Sequence, residues 1–150
     1  MAESAKIFKL SISSKKGEKK KNVPQVKLIE SGGIEGDAHF GSVRQISLLP
    51  FESFSKLVND TLEINPGDFA ENITTIGLDF SRIVVGSGIA LGNSVILKVT
   101  QIGKECHNGC VIKRTVGDCI MPREGVFADV ITGGVLCEGD PVKKIELTQE

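Results

Sequence analysis

The chain has 150 residues, of which 40% are hydrophobic and 25% are charged, and its formal net charge is −1. These values are ordinary for a globular domain large enough to bury a core, and without a basic excess they argue against a nucleic-acid partner. No apolar run approaches the roughly 18 residues that span a bilayer, and the N-terminus lacks the pattern of a secretory signal. We therefore expect one cytoplasmic domain, residues 1–150 with its core at 5–147, that has no membrane partner.

The first part of the chain predicts two strands joined by a basic segment. Residues 6–12 alternate polar and apolar side chains, which is the period of a half-buried strand. Residues 23–30 predict a second strand, with Pro24 near its beginning, where proline is tolerated. Between them, residues 14–22 carry five lysines, which we interpret as a solvated loop. Contact with an acidic partner or an anionic ligand is the alternative interpretation.

The rest of the chain is also mostly strand-like. Residues 44–49 predict a buried strand, and Pro50 opens a predicted helix that ends near Asn59, because proline suits a first helical turn. Further short apolar stretches are separated by glycine turns, at residues 69–76, 83–85, 89–91, 95–99, 126–131, 135–137 and 142–147. Strands of this length and spacing predict a β-barrel or a β-sandwich.

Residues 32–41 contain four glycines and predict an irregular loop, with positive backbone φ angles or close approach to a ligand. Asp37 lies two residues before His39, and a neighbouring carboxylate orients an imidazole ring and raises its basicity. Arg44 follows five residues later and offers bidentate contact to a phosphate or carboxylate. A histidine bonded only to the loop backbone explains the same residues equally well, and both interpretations stay open at this point.

Reactive side chains concentrate after the predicted strand at residues 95–99. Lys104 and His107 flank Cys106 in this segment. Neighbouring positive charge lowers the pKa of a thiol and so favours the reactive thiolate. We therefore predict a functional role for Cys106.

The remaining cysteines are Cys110, Cys119 and Cys137. Without an export signal, free thiols, a metal site or catalysis are favoured over a disulfide framework. We interpret Cys119 and Cys137 as buried, unreactive side chains, and Cys110 as a second candidate beside Cys106. Structural zinc bound by Cys106, His107, Cys110 and Cys119 is an alternative, although their spacing is that of no standard zinc finger.

Several stretches match one known family in the family's own order. They are residues 36–41 (GDAHFG), 44–49 (RQISLL), 66–77 (PGDFAENITTIG), 91–92 (LG), 99–106 (VTQIGKEC), 125–128 (GVFA) and 133–134 (GG). On these residues the chain resembles the MOSC domain, named for the C-terminal part of eukaryotic molybdenum cofactor sulfurase. It is most similar to the small stand-alone bacterial type.

The resemblance implies a mainly β fold, a closed β-barrel of MOSC type with a few short helices. It also implies a role in binding the molybdenum cofactor (molybdopterin) or handling its sulfur. The family's shared cysteine falls on Cys106, which would carry persulfide sulfur or ligate molybdenum, since a soft thiolate suits both tasks. Whether Cys110 works with it stays open. No pyridoxal phosphate site is expected in this chain, and a cysteine desulfurase and molybdoenzymes are the expected partners.

Taken onto this sequence, the resemblance makes Cys106 the catalytic residue and a candidate molybdenum ligand. The expected cofactor-binding residues are Asp37, His39, Arg44, Asn72, Lys104, His107 and Cys110. Arg44 and Lys104 would contact the cofactor phosphate. Asp37, His39 and Asn72 would form hydrogen bonds with the pterin. Two other functions remain as alternatives: a non-enzymatic cofactor carrier or insertion factor, and a structural zinc or redox module.

Overall fold

A computed structural model of the chain describes residues 5–15, 20–42, 45–52, 66–67, 71–103 and 125–147. Within them the chain forms eleven β-strands and a short 3-10 helix, Phe80–Arg82, so the prediction of a mainly β fold is confirmed. The strands are β1 (Ala5–Ile12), β2 (Lys21–Val23), β3 (Gln25–Ile29), β4 (Gly33–Ile34), β5 (Ile46–Pro50), β6 (Ile73–Ile76), β7 (Gly88–Leu91), β8 (Val95–Ile102), β9 (Val126–Thr132), β10 (Gly134–Cys137) and β11 (Pro141–Ile145).

Seven strands close into a barrel in the order β11-β7-β8-β9-β5-β6-β1, with β1 pairing back to β11. The closing contact places Ala5 opposite Val142 in an antiparallel register. Further along β1, the same edge pairs with β2 instead, and Leu10 lies opposite Val23. Closing a sheet on itself removes the unpaired edges that an open sheet exposes. The closed barrel implied by the resemblance to the MOSC domain is therefore confirmed, and the β-sandwich that the strand pattern left open is excluded.

Strand β5 lies between β9 and β6 and is buried along its whole length. It runs parallel to β6, with Leu48 opposite Ile73. A strand covered on both faces reads as a continuous apolar run rather than an alternating one, which explains the pattern of residues 46–50. Pro50 is the last residue of this strand, and residues 51 and 52 directly after it, within the helix predicted for residues 50–59, have 3-10 helical conformation. Most of that predicted helix, residues 53–59, lies outside the described residues.

A β-bulge near the middle of β1 breaks the predicted alternation. Ile7 lies opposite Thr75, but Lys9 lies opposite Thr74, so Phe8 is the extra residue. The bulge lets Ile7 and Leu10 both face the core although they are three residues apart. Phe8 instead packs against the ring of Phe51, with ring centroids 4.6 Å apart.

A second, three-stranded sheet has the order β10-β3-β4. The single strand predicted at residues 23–30 is thus two strands in two sheets, separated by Pro24. Proline lacks an N–H and cannot continue a ladder, which suits it to the junction. Gly33 and Ile34 pair with β3, so part of the glycine-rich loop is regular structure, contrary to the expectation for residues 32–41.

The core fills the barrel and continues beneath the small sheet. Its fully enclosed side chains come from nearly every strand: Ile7, Leu10, Leu28, Ile34, Ile46, Leu48, Leu49, Ile73, Ile89 and Leu91. The stretch at residues 83–85 was predicted as a strand, but Val84 and Val85 are exposed beside a turn. In the part of the chain described, no helix has the length and apolar character needed to cross a membrane.

Candidate functional site

The candidate site forms where the turn after β4 folds against the end of β1. The backbone N–H of Ala38 donates to the carbonyl of Ser13 at 2.8 Å. In return, the Ser13 N–H donates to Oδ1 of Asp37 at 3.1 Å. Gly36 precedes the turn at φ 89°, a conformation that glycine adopts without strain. These contacts fix Asp37 and the residues after it on the barrel.

Lys20 is the side chain that organises this region. Its ammonium Nζ lies 2.8 Å from Oδ1 of Asp37, and neither side chain exposes any surface to solvent. Nζ also donates to the Ser13 hydroxyl at 3.1 Å. The interpretation of residues 14–22 as a solvated loop is therefore wrong for Lys20, although Lys15 and Lys21 are exposed as expected. A buried ammonium needs partners for its hydrogens, and the turn supplies them.

Asp37 is held as a carboxylate. Burial alone would raise its pKa, but contacts with His39 and the Lys20 ammonium outweigh it and hold the pKa of Asp37 well below its usual range. Its second oxygen, Oδ2, accepts the backbone N–H of His39 at 3.1 Å. Both carboxylate oxygens thus accept hydrogen bonds from the protein, and the side chain exposes no surface for the expected contact of Asp37 with a pterin.

His39 is the member of this cluster that reaches solvent, with its side chain 23% exposed. Ring atom Nδ1 lies 3.3 Å from Lys20 Nζ and 3.6 Å from Asp37 Oδ2. The sequence predicted that Asp37 orients the His39 ring directly. In the structure the Asp37 carboxylate instead accepts the His39 backbone N–H, and Lys20 makes the closer contact with the ring. The opposite nitrogen, Nε2, is the one without a protein hydrogen bond among the described contacts.

Asn72 is part of the barrel wall. Its Oδ1 accepts the N–H of Ser47 at 3.0 Å and the Ser47 hydroxyl at 3.2 Å. Its Nδ2 donates to the carbonyl of Ser11 at 3.2 Å, and the residue is almost fully buried. The side chain thus ties β1 to β5. The structure places Asn72 among protein partners, while its predicted contact with a pterin stays a prediction.

Another stretch that matches the family, residues 66–77, is connected through Lys20 to the stretch at residues 36–41. The Lys20 backbone N–H donates to the Gly67 carbonyl at 2.8 Å, and the Gly67 N–H donates to Oε2 of Glu71 at 2.8 Å. The same oxygen accepts the Thr74 hydroxyl at 2.8 Å. A side chain at Gly67 would place its Cβ 2.3 Å from the Lys20 carbonyl oxygen, so only glycine allows this approach.

Sequence reasoning missed Lys20, Glu71 and Phe40 as parts of the site. Nothing in the sequence separates Lys20 from the four other lysines near it. Phe40 could have been found from the sequence, because an aromatic residue between His39 and Gly41 in a glycine-rich loop is a candidate for ligand contact. Its side chain is 46% exposed, and its ring packs so closely on Gly32 that an added Cβ there would lie 2.8 Å from Cζ. Phe40 thus offers an aromatic surface next to His39.

Five predicted residues lie outside the described part of the chain: Arg44, Lys104, Cys106, His107 and Cys110. Among the described residues, Gly103 and Gly125 flank the last four of these in the sequence, and the Gly103 N–H donates to the Gly125 carbonyl at 2.7 Å. Cys137, expected to be buried, is half-buried, with its sulfur 3.8 Å from Oε1 of Gln25. Among the described residues, no group of three histidine, cysteine or acidic side chains is arranged to hold a metal ion.

Comparison with known proteins agrees with the fold. A family model described as the MOSC domain matches residues 35–143. The YuaD protein from Bacillus subtilis has a similar structure, with a TM-score of 0.79 and 21% identity over 97% of this chain and 98% of its own. YiiM from Geobacillus stearothermophilus gives 0.71 and 20%, over 95% of this chain and 75% of its own. YiiM from Escherichia coli gives 0.66 and 19%, over 97% and 70%. No curated protein matches the sequence.

Proposed function

Because the chain belongs to the MOSC domain family, a family linked to sulfur handling around the molybdenum cofactor, we propose that it binds this cofactor and handles its sulfur. In this proposal Cys106 carries sulfur as a persulfide or ligates molybdenum. The observation that carries this proposal is the position of His39. Its side chain is partly exposed, it rests on the buried Lys20–Asp37 pair, and it lies within the same family match that contains Cys106.

The described residues fit an oxygen-rich, flat ligand. His39 brings an imidazole nitrogen to the surface, and Phe40 brings an exposed aromatic ring. Aromatic rings stack on planar heterocycles, and a ring nitrogen that carries hydrogen donates to a carbonyl or phosphate oxygen. The bound cofactor would supply a metal held by dithiolene sulfurs. We assign to Arg44 and Lys104 the contacts with its phosphate, as the sequence predicts.

Within this proposal, Asp37 and Asn72 act indirectly. Asp37 holds the backbone N–H of His39 and the Lys20 ammonium, and so fixes the position of the imidazole. Asn72 holds Ser11 and Ser47, and so fixes the end of β1 against which the turn packs. Neither side chain has exposed surface with which to bind a ligand as large as a pterin without local rearrangement.

Sulfur transfer by Cys106 follows ordinary thiol chemistry. The Cys106 thiolate attacks the outer sulfur of a persulfide on a cysteine desulfurase, an S–S bond forms on Cys106, and the desulfurase cysteine leaves as a thiolate. Attack by Cys110 on the inner sulfur would then release hydrosulfide and leave a Cys106–Cys110 disulfide. The released sulfur is reduced as the two cysteines are oxidised, and a thiol reductant restores them.

Mass spectrometry after incubation with a cysteine desulfurase and cysteine tests the sulfur role. We expect a gain of about one sulfur atom on Cys106. The gain should be absent in Cys106→Ser and present in Cys137→Ser, which removes a half-buried thiol as a matched control. If no cysteine gains sulfur while the cofactor still binds tightly, sulfur transfer is contradicted, and the alternative function as a cofactor carrier or insertion factor is supported.

Purification in the presence of molybdenum cofactor tests the binding role. We expect pterin and molybdenum to be retained, and His39→Ala to retain less than wild type. Lys98→Ala, which changes an exposed lysine on the outside of β8, should retain the wild-type amount. If the purified protein instead contains one zinc atom per chain and no pterin, the alternative function as a structural zinc module is supported and cofactor binding is not.

A further inference from the structure

The Lys20 ammonium determines whether the ring nitrogen Nε2 of His39 is a hydrogen-bond donor or an acceptor toward a ligand. An ammonium group carries three hydrogens and accepts none, so in any hydrogen bond with an imidazole the imidazole nitrogen must be the acceptor. Lys20 has three neighbours for its three hydrogens: Asp37 Oδ1 at 2.8 Å, Ser13 Oγ at 3.1 Å and His39 Nδ1 at 3.3 Å. This set satisfies the buried charge completely.

A competing arrangement has Nδ1–H of His39 donating to Asp37. The imidazole lies near Oδ2 and helps to lower the pKa of Asp37. Nδ1 is nevertheless 3.6 Å from Oδ2, compared with 3.3 Å from Lys20 Nζ, and Oδ2 already accepts the His39 backbone N–H at 3.1 Å. That arrangement would also leave Lys20 with two partners for three buried hydrogens, which costs free energy. The contact of Lys20 with Nδ1 therefore prevails.

We propose that Lys20 is a positioning residue that holds His39 as the tautomer with its hydrogen on Nε2. In a neutral imidazole one nitrogen donates and the other accepts, so Nδ1 as acceptor requires Nε2–H. His39 then offers its ligand a hydrogen-bond donor and has no lone pair at Nε2 with which to coordinate a metal. The matching ligand group is an oxygen acceptor, such as a phosphate or a ring carbonyl.

The proposed function uses His39, but the tautomer of its ring is measured without any cofactor. Its failure would leave the sulfur role of Cys106 untouched, and failure of sulfur transfer would leave the tautomer untouched. The chain has two histidines, so the two imidazole signals are separated by one His107→Gln variant used for assignment.

Long-range ¹H–¹⁵N correlation spectra of the folded protein, at a pH where His39 is neutral, give the tautomer directly. We expect at least about a tenfold excess of the Nε2–H form at His39, because a hydrogen bond from a charged donor favours the accepting nitrogen by that order. In Lys20→Met the excess should disappear or reverse, because Nδ1–H becomes free to turn toward Asp37. Lys21→Met, at the exposed neighbouring lysine, should leave the wild-type spectrum unchanged.

Two outcomes overturn the inference. One is an Nδ1–H signal for His39 in the wild-type protein, which is decisive even if Lys20→Met fails to fold. The other is the same tautomer ratio in folded Lys20→Met and wild type. Inorganic phosphate and Zn²⁺ serve as probes of the ligand class: phosphate should shift the Nε2–H signal, whereas loss of that signal on adding stoichiometric Zn²⁺ would contradict the donor role.

Discussion

Lys20 and Asp37 form an ion pair with 2.8 Å between Nζ and Oδ1, and both side chains are enclosed by the protein. They are 17 positions apart, on segments that lie before β2 and after β4. The pair joins the lysine-rich segment to the turn that carries His39. Because neither charge contacts solvent, removing one leaves the other buried without its partner.

We therefore predict that Asp37→Ala lowers the free energy of unfolding by about 3–5 kcal/mol, the cost of stranding a buried charge. Urea denaturation measures the change from the shift in midpoint at constant slope. Glu138→Ala breaks the Lys9–Glu138 pair, which is 3.4 Å long and more than a third exposed, and should cost less than about 1 kcal/mol. Equal costs for the two variants would contradict the burial of the first pair.

The stability supplied by Asp37 should depend on pH in a defined direction. The unfolded chain binds a proton at Asp37 near the ordinary pKa of 3.8, whereas the folded protein holds that pKa far lower. The contribution is therefore fully present above the unfolded pKa and is lost as the pH falls below it. We expect the difference in unfolding free energy between wild type and Asp37→Asn to shrink between pH 5 and pH 3.

Asp129→Asn changes the net charge by the same amount and is the control for that pH series. Asp129 is half-buried on β9, so this variant shows what the loss of one negative charge contributes outside the Lys20–Asp37 pair. A difference between wild type and Asp37→Asn that grows as the pH falls would mean that the carboxylate is not stabilised in the folded protein.

Gly67 and Gly86 allow steric crowding to be separated from backbone strain. Their φ angles are 96° and 98°, so alanine pays a similar conformational cost at each. A Cβ at Gly67 would lie 2.3 Å from the Lys20 carbonyl oxygen, while one at Gly86 meets nothing within 4 Å. We predict that Gly67→Ala is less stable than Gly86→Ala by about 1–3 kcal/mol, the usual cost of overpacking. Similar thermal midpoints for both would refute the close approach.

Asn72→Ala should reduce stability while leaving the site chemistry of the folded fraction intact. It leaves the Ser47 N–H without its bond to Oδ1 and the Ser11 carbonyl without Nδ2, each at a cost of about 1–3 kcal/mol. Asn93→Ala, in the exposed turn between β7 and β8, is the matched control. Cofactor retained per folded molecule, measured at low temperature, should be unchanged. Loss of retention at full stability would instead support direct contact with the pterin.

Cys106 is predicted to be the most reactive of the four thiols. Lys104 and His107 beside it favour the thiolate, which is the form that alkylates. Brief treatment with iodoacetamide at neutral pH, followed by peptide mass spectrometry, should label Cys106 first. Cys137 is an informative competitor because it is half-buried rather than enclosed. Faster labelling of Cys137 or Cys119 would contradict the assignment of Cys106 as the functional cysteine.

The sequence alone was sufficient for the class of fold. Short apolar stretches between glycines predicted the barrel strands β5, β7, β8, β9 and β11, because side-chain period and turn residues act locally. The proximity of Asp37 to His39 was also predictable, since two residues in a tight turn stay together. The ordered stretches shared with the MOSC family anticipated the family match over residues 35–143.

Only the tertiary structure decided that Lys20 is buried while Lys15 and Lys21 are exposed. It also decided how the strand broken at Pro24 is divided between two sheets, and that Asn72 ties β1 to β5. Each of these depends on partners far away in the sequence: Asp37 for Lys20, the strand β10 for β3, and Ser11 for Asn72. Local propensity carries no information about such partners, because hydrogen bonding and burial are satisfied only when the closed barrel brings them together.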